Sequence, residues 1–237
     1  MSIMLPAANR GKYEAALWTS AIFITASLVD GWLKIALLRG PLIHFWIFDL
    51  TKWLVLPAVL ILALRRSADV RPQGYGLTST HGVGGILALV PLMPLVLITL
   101  YVAYAAPAYL ANQVLGHPEP PFSSPDTLAS LGRFWIVGSI YFSVTAGLWE
   151  SIFIIGLPWL WFSQGAPVPR NRTVLFVVVS SLLFALGHWE NGLPNVIAAF
   201  VFEVCAVWWY LRLKTLWPVI VAHTLIDLYD FWPWAQT

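Results

Sequence analysis

Residues 134–162 read FWIVGSIYFSVTAGLWESIFIIGLPWLWF, an apolar run in which Glu150 is the single charged side chain. Hydrocarbon about 30 Å thick is crossed by roughly 20 apolar residues rising about 1.5 Å each. The run therefore predicts a tilted membrane span, or a span continued by a short helix. Lipid offers the backbone no hydrogen-bond partners, so a crossing segment of this kind has to be helical. The rest of the chain agrees: of 237 residues, 59% are hydrophobic and 10% charged, with mean hydropathy +0.76. A soluble domain carries about 25% charged residues, so that class is excluded. The formal net charge of +2 gives no case for nucleic acid as a partner. The lone Cys205 excludes an intramolecular disulfide and any CxxC motif.

Outward from this run the chain divides into further spans: Ala15–Leu38, Pro41–Leu64, Val83–Ala105, Thr173–His188, Asn195–Leu213 and Leu216–Trp232. The fold class expected is all-α, a polytopic transmembrane helix bundle of about seven spans, eight if the 134–162 run divides. A single membrane domain covers 1–237, with core helices over 134–232. Ala15–Leu38 follows Arg10 and Lys12 without a small-residue cleavage pattern, and reads as a retained span rather than a signal peptide. The longest non-apolar segment, 107–132, holds HPEPPFSSPD and cannot form a continuous helix. Trp46, Trp53, Trp208, Trp209, Trp217, Trp232 and Trp234 fall near span ends and are expected at the membrane–water interfaces.

Loop lysines and arginines give the orientation. With the N-terminus cytoplasmic, nine of them lie on the inner side (Arg10, Lys12, Arg65, Arg66, Arg71, Arg170, Arg172, Arg212, Lys214) against Arg39 and Arg133 outside. The proline-rich segment and the Trp189–Pro194 connection then face outward.

Ionisable groups at bilayer depth need a partner or a function. Asp30 and Lys34 (i,i+4), and Asp49 and Lys52 (i,i+3), are expected to neutralise each other along their own helices. Glu203 has no local partner and is left unassigned. Glu150 has no basic residue within four positions. His188 closes the apolar run SSLLFALGH, and His223 and Asp227 share one helix face in PVIVAHTLIDLYD. Two imidazoles and two carboxylates on three helices point to a site. A glutamate and a histidine can share the deprotonation of water, and a second histidine backed by a carboxylate can stabilise an oxyanion. Zinc held by Glu150, His188 and His223 is the alternative, although the contiguous HExxH is absent. No G-x-S-x-G supports a serine nucleophile. A proton-coupled transporter could use the same four groups as a relay.

These residues resemble the motifs of the CPBP family, the CAAX protease and bacteriocin-processing (Abi) group of intramembrane proteases. Its pattern is E-E-x-x-x-R, F-x-x-x-H and H-x-x-x-N/D on consecutive helices. Here the second stands as Phe184-Ala-Leu-Gly-His188 and the third as His223-Thr-Leu-Ile-Asp227. The resemblance covers roughly 136–229. The first motif departs: with Glu150 as first glutamate, Ser151 replaces the second and Ile155 the arginine. A register one residue earlier puts Ile154 at the arginine position. The resemblance implies an intramembrane endopeptidase, a hydrolase of glutamic type with metal dependence open. Glu150 and His188 would activate water, and His223 and Asp227 would form the oxyanion site. It further implies a membrane-anchored protein or peptide as substrate partner, the lipid bilayer as surroundings, and a multi-pass location in a prokaryotic cell membrane. A non-catalytic scaffolding or immunity protein of the same family is the other reading.

Overall fold

The computed structural model describes residues 7–77, 82–118, 134–164 and 166–232, and every regular element among them is helical. His81, Arg133, Trp234 and most of the proline-rich segment lie outside the described residues. In chain order the α-helices are α1 (Ala7–Leu37), α2 (Leu42–Leu50), α3 (Leu56–Ala68), α4 (Gly82–Leu87), α5 (Met93–Leu115), α6 (Trp135–Glu150), α7 (Leu157–Ser163), α8 (Arg170–Leu186), α9 (Leu193–Leu213) and α10 (Trp217–Asp230). A π-helical turn, Thr51–Val55, joins α2 to α3, and a second, Ser151–Gly156, joins α6 to α7. Each trio forms one continuous rod.

Five of these rods are long and apolar enough to cross a membrane: Arg10–Leu37, Leu42–Ala68, Val90–Leu115, Trp135–Ser163 and Leu193–Leu213. The 17 residues of α8 and the 14 of α10 rise only about 25 and 21 Å. Both fall short of a bilayer core on their own, so the expected seven or eight exceeds what helix length shows. The 134–162 run stays in one piece.

The third span differs from its expected limits. It starts at Val90, not Val83, and runs through Pro107 to Leu115. Pro91 and Pro94 stand at helix beginnings, where a missing N–H leaves nothing unsatisfied. Pro107 sits inside the helix because apolar surroundings offer the backbone no better arrangement. Gly116, in the left-handed region at φ 74°, ends it.

Trp135–Ser163 is the central rod, 61% buried against 17% for Val90–Leu115. It packs on α10 through α6 and on α1 through α7, while α5, α8 and α10 gather round α9. The core between them is apolar and aromatic, with Phe23 stacked on Phe153 at 4.4 Å. Trp53 and Trp209, expected at the interfaces, are buried in this core instead. Trp53 lies under the Lys52 ammonium, and the Trp209 indole N–H donates to Thr99 Oγ1 at 2.8 Å. Each indole thus has an internal partner for its polar or cation-attracting part. Outer faces carry exposed Trp18, Trp32, Val114 and Val137, as lipid contact requires.

Candidate active site

Two helices, α6 and α10, and the turn after α8 bring the candidate groups together. Glu150 ends α6, directly before the second π-turn. There the Ser151 hydroxyl donates back to the Gly147 carbonyl (2.7 Å) and the Ser180 hydroxyl donates to the Ile154 carbonyl (2.8 Å). A π-turn disturbs the regular backbone ladder, and these two hydroxyls satisfy carbonyls around it. Glu203 on α9 reaches the same Ser180 hydroxyl at 3.4 Å, which gives that buried acid a cross-helix partner.

α6 and α10 approach so closely that a Cβ on Gly147 would strike Thr224 Oγ1 and stand 2.9 Å from Thr224 N and 3.0 Å from Ile220 O. Gly76 anchors the start of α10, its carbonyl accepting from Leu216 N (2.8 Å) and Thr215 Oγ1 (3.2 Å). The result is that His223 Nε2 stands 3.7 Å from Glu150 Oε2 and 3.5 Å from Asp227 Oδ2. Both Glu150 and His223 are buried, and Glu150 Oε2 has no hydrogen-bond partner among the described residues. The i,i+4 relation of His223 and Asp227 works as the sequence implied.

His188 lies past the end of α8. Its Nδ1 is 2.8 Å from the Phe184 carbonyl, and its ring is 4.5 Å from the Phe184 ring. A carbonyl can only accept, so Nδ1 is the donor of this bond and Nε2 is the ring nitrogen left for other partners. The spacing of Phe184 and His188 is thereby explained: one turn of helix places an acceptor under Nδ1. The Phe184 ring also lies 6.0 Å from that of His223, and Phe202 closes on His223 at 4.8 Å. Among the described residues no carboxylate comes within ion-pair reach of His188, and Glu150 faces the His223 imidazole. Because α8 stops at Leu186, His188 is carried by a turn and stands back from the acid.

All four groups line one cavity of about 450 Å³. Among the described residues, no three His, Cys, Asp or Glu side chains cluster closely enough to hold a metal ion. Glu150, His188 and His223 do not form a zinc site in this arrangement, and no chemical step is assigned to one. Of the two arginine registers, Ile154 faces the cavity and Ile155 is packed in the apolar core.

A second group of charges lines the same cavity: Asp30 and Lys34 of α1, Lys52 of the first π-turn, and Glu190 beyond His188. Asp30 Oδ2 accepts from Lys34 (2.6 Å) and Lys52 (2.7 Å), and Lys34 also faces Glu190 Oε1 at 3.6 Å. The Asp30–Lys34 pair is as expected, whereas the Asp49–Lys52 pair does not form. Asp49 accepts instead from the Tyr141 hydroxyl at 2.7 Å, since the π-turn rotates Lys52 towards α1. Glu190 escaped the sequence reading because it falls in a connection assigned to the outer surface. Its nearness to His188 in sequence was the available signal.

Residues 132–229 match the family model described as type II CAAX prenyl endopeptidase, Rce1-like. No curated protein and no solved structure gives a significant match. The histidine motifs fall within the segment that is similar to this family, and residues 1–131 and 230–237 lie outside the match.

Proposed function

We propose, on the premise of a CAAX-protease-type segment in an integral membrane protein, that the chain is an intramembrane endopeptidase using Glu150 as general base. The observation that carries this is the Glu150 carboxylate: buried, without a hydrogen-bond partner at Oε2 among the described residues, and 3.7 Å from an imidazole on the wall of the same cavity. Water held there attacks the substrate carbonyl carbon while its proton passes to Glu150, with His188 Nε2 as the second acceptor in the cavity. The tetrahedral oxyanion meets the His223 imidazole, which Asp227 orients from one turn further along α10. As the carbon–nitrogen bond breaks, the proton held by Glu150 moves to the leaving amine. Substrates are membrane-anchored or hydrophobic proteins cut beside the bilayer. With the N-terminus cytoplasmic, the His188 turn faces outward, which favours exported chains over cytoplasmic prenyl proteins.

The test is cleavage of anchored peptides by purified protein in liposomes, wild type beside Glu150→Ala and His188→Ala. Cleavage by wild type alone is expected; equal cleavage by all three overturns the assignment. Isoleucine at both candidate arginine positions favours one second reading, a non-catalytic scaffolding or immunity relative. Under that reading Glu150→Gln leaves the cellular phenotype intact.

A further inference from the structure

His188 is held by no regular helix: it stands between α8 and a short 3₁₀ turn, Trp189–Asn191, closed by Asn191 N to His188 O (3.1 Å) and Gly192 N to Trp189 O (3.1 Å). A three-residue turn is weak by itself, yet Glu190 within it is only 3% exposed. What covers it is α1, a helix outside residues 132–229.

Three contacts of different kinds meet there. Gly31 lies so near the turn that a Cβ on it would be 2.9 Å from the Trp189 ring and 3.0 Å from Glu190 Oε2. The Trp189 indole N–H points at the Leu28 carbonyl (3.4 Å), and its ring rests 4.8 Å from that of Trp32. Lys34, itself fixed by Asp30 at 2.6 Å, faces Glu190 Oε1 at 3.6 Å. A packing contact, an indole and a buried ion pair, all from one face of α1, converge on the residues directly after His188.

We propose that α1 is the positioning element for His188, with Gly31 and Lys34 as positioning residues acting through Trp189 and Glu190. Neither reaches the reacting atoms by this route. The hydrogen bond to Phe184 fixes which ring nitrogen of His188 is free, and the α1 contacts fix where the residue stands in the cavity. This rests on the catalytic reading for its consequence, since a displaced His188 matters only if the ring takes part in the chemistry.

The test separates position from consequence. Hydrogen exchange at the amides of residues 188–192 reads position without any substrate. Lys34→Met is expected to speed it at least about tenfold, Lys34→Arg to keep it near wild type, and Gly31→Leu to speed it without removing a charge. In the cleavage assay the same two disruptive variants are expected to lower kcat on the order of 10- to 100-fold with KM little changed, again with rescue by arginine. Unchanged exchange in both Lys34→Met and Gly31→Leu overturns the clamp. Faster exchange with wild-type kcat overturns the positioning role. If the wild type itself cleaves nothing, the protease reading falls, and the exchange result still decides whether α1 holds the turn.

Discussion

Gly147→Ala is the sharpest probe of how the site is assembled. The added methyl would meet Thr224 Oγ1 and lie 2.9 Å from Thr224 N and 3.0 Å from Ile220 O, where ordinary contact begins at 3.4 Å. The shortfall to backbone atoms is about 0.4–0.5 Å, and packed helices yield by moving apart rather than by compressing. Since Glu150 lies one turn along α6 from Gly147, and His223 adjoins Thr224 on α10, this separation falls directly on the 3.7 Å gap between acid and imidazole. Overpacking of this size costs about 1–3 kcal/mol, and misplacing reacting groups by up to 1 Å lowers turnover on the order of 100-fold or less. The assay is kcat in liposomes beside thermal unfolding in detergent. Gly11→Ala, where a Cβ meets nothing within 4 Å, serves as the control at wild-type values. Gly147→Ala with unaltered kcat and unaltered stability would refute the claim that this helix crossing sets the distance.

Asp30→Asn removes the negative charge shared by two buried ammonium groups, at 2.6 and 2.7 Å, and is expected to destabilise the fold by about 3–5 kcal/mol. Denaturant unfolding checks this, and adding Lys52→Met should recover part of the loss. In a Cys205→Ala background, an impermeant maleimide applied to sealed cells should label Gly40→Cys and spare Ser67→Cys; the reverse pattern would invert the orientation. Metal analysis of active purified protein should find zinc far below one equivalent per chain. About one equivalent, lost in His223→Ala, would favour the zinc alternative instead.

Features fixed within one helix were legible in the sequence. The apolar runs marked the rods, the i,i+4 spacing of Asp30 with Lys34 and of His223 with Asp227 foretold their pairing, and the Phe184–His188 spacing matches the contact between those two residues. Features depending on another helix were not. Asp49 finds Tyr141 rather than Lys52, because a π-turn changes the register that a regular helix would impose. Trp209 is a core residue whose indole N–H is met by Thr99, and Trp53 one whose ring meets Phe23 of α1, distant neighbours that no local pattern reveals. Glu190 looked like surface because its connection is short and polar, whereas α1 folds over it. The third span was expected to end at Ala105, yet its helix runs through Pro107 to Leu115, because backbone groups there have only the helix to turn to.

The measurement that goes most directly to the central claim is single-turnover hydrolysis of an anchored peptide by Glu150→Gln, an isosteric change that leaves the cavity's shape intact. Removing the base is expected to lower the rate by about 100- to 10,000-fold while binding of the peptide and the unfolding temperature stay near wild type. Hydrolysis at the wild-type rate would contradict the account.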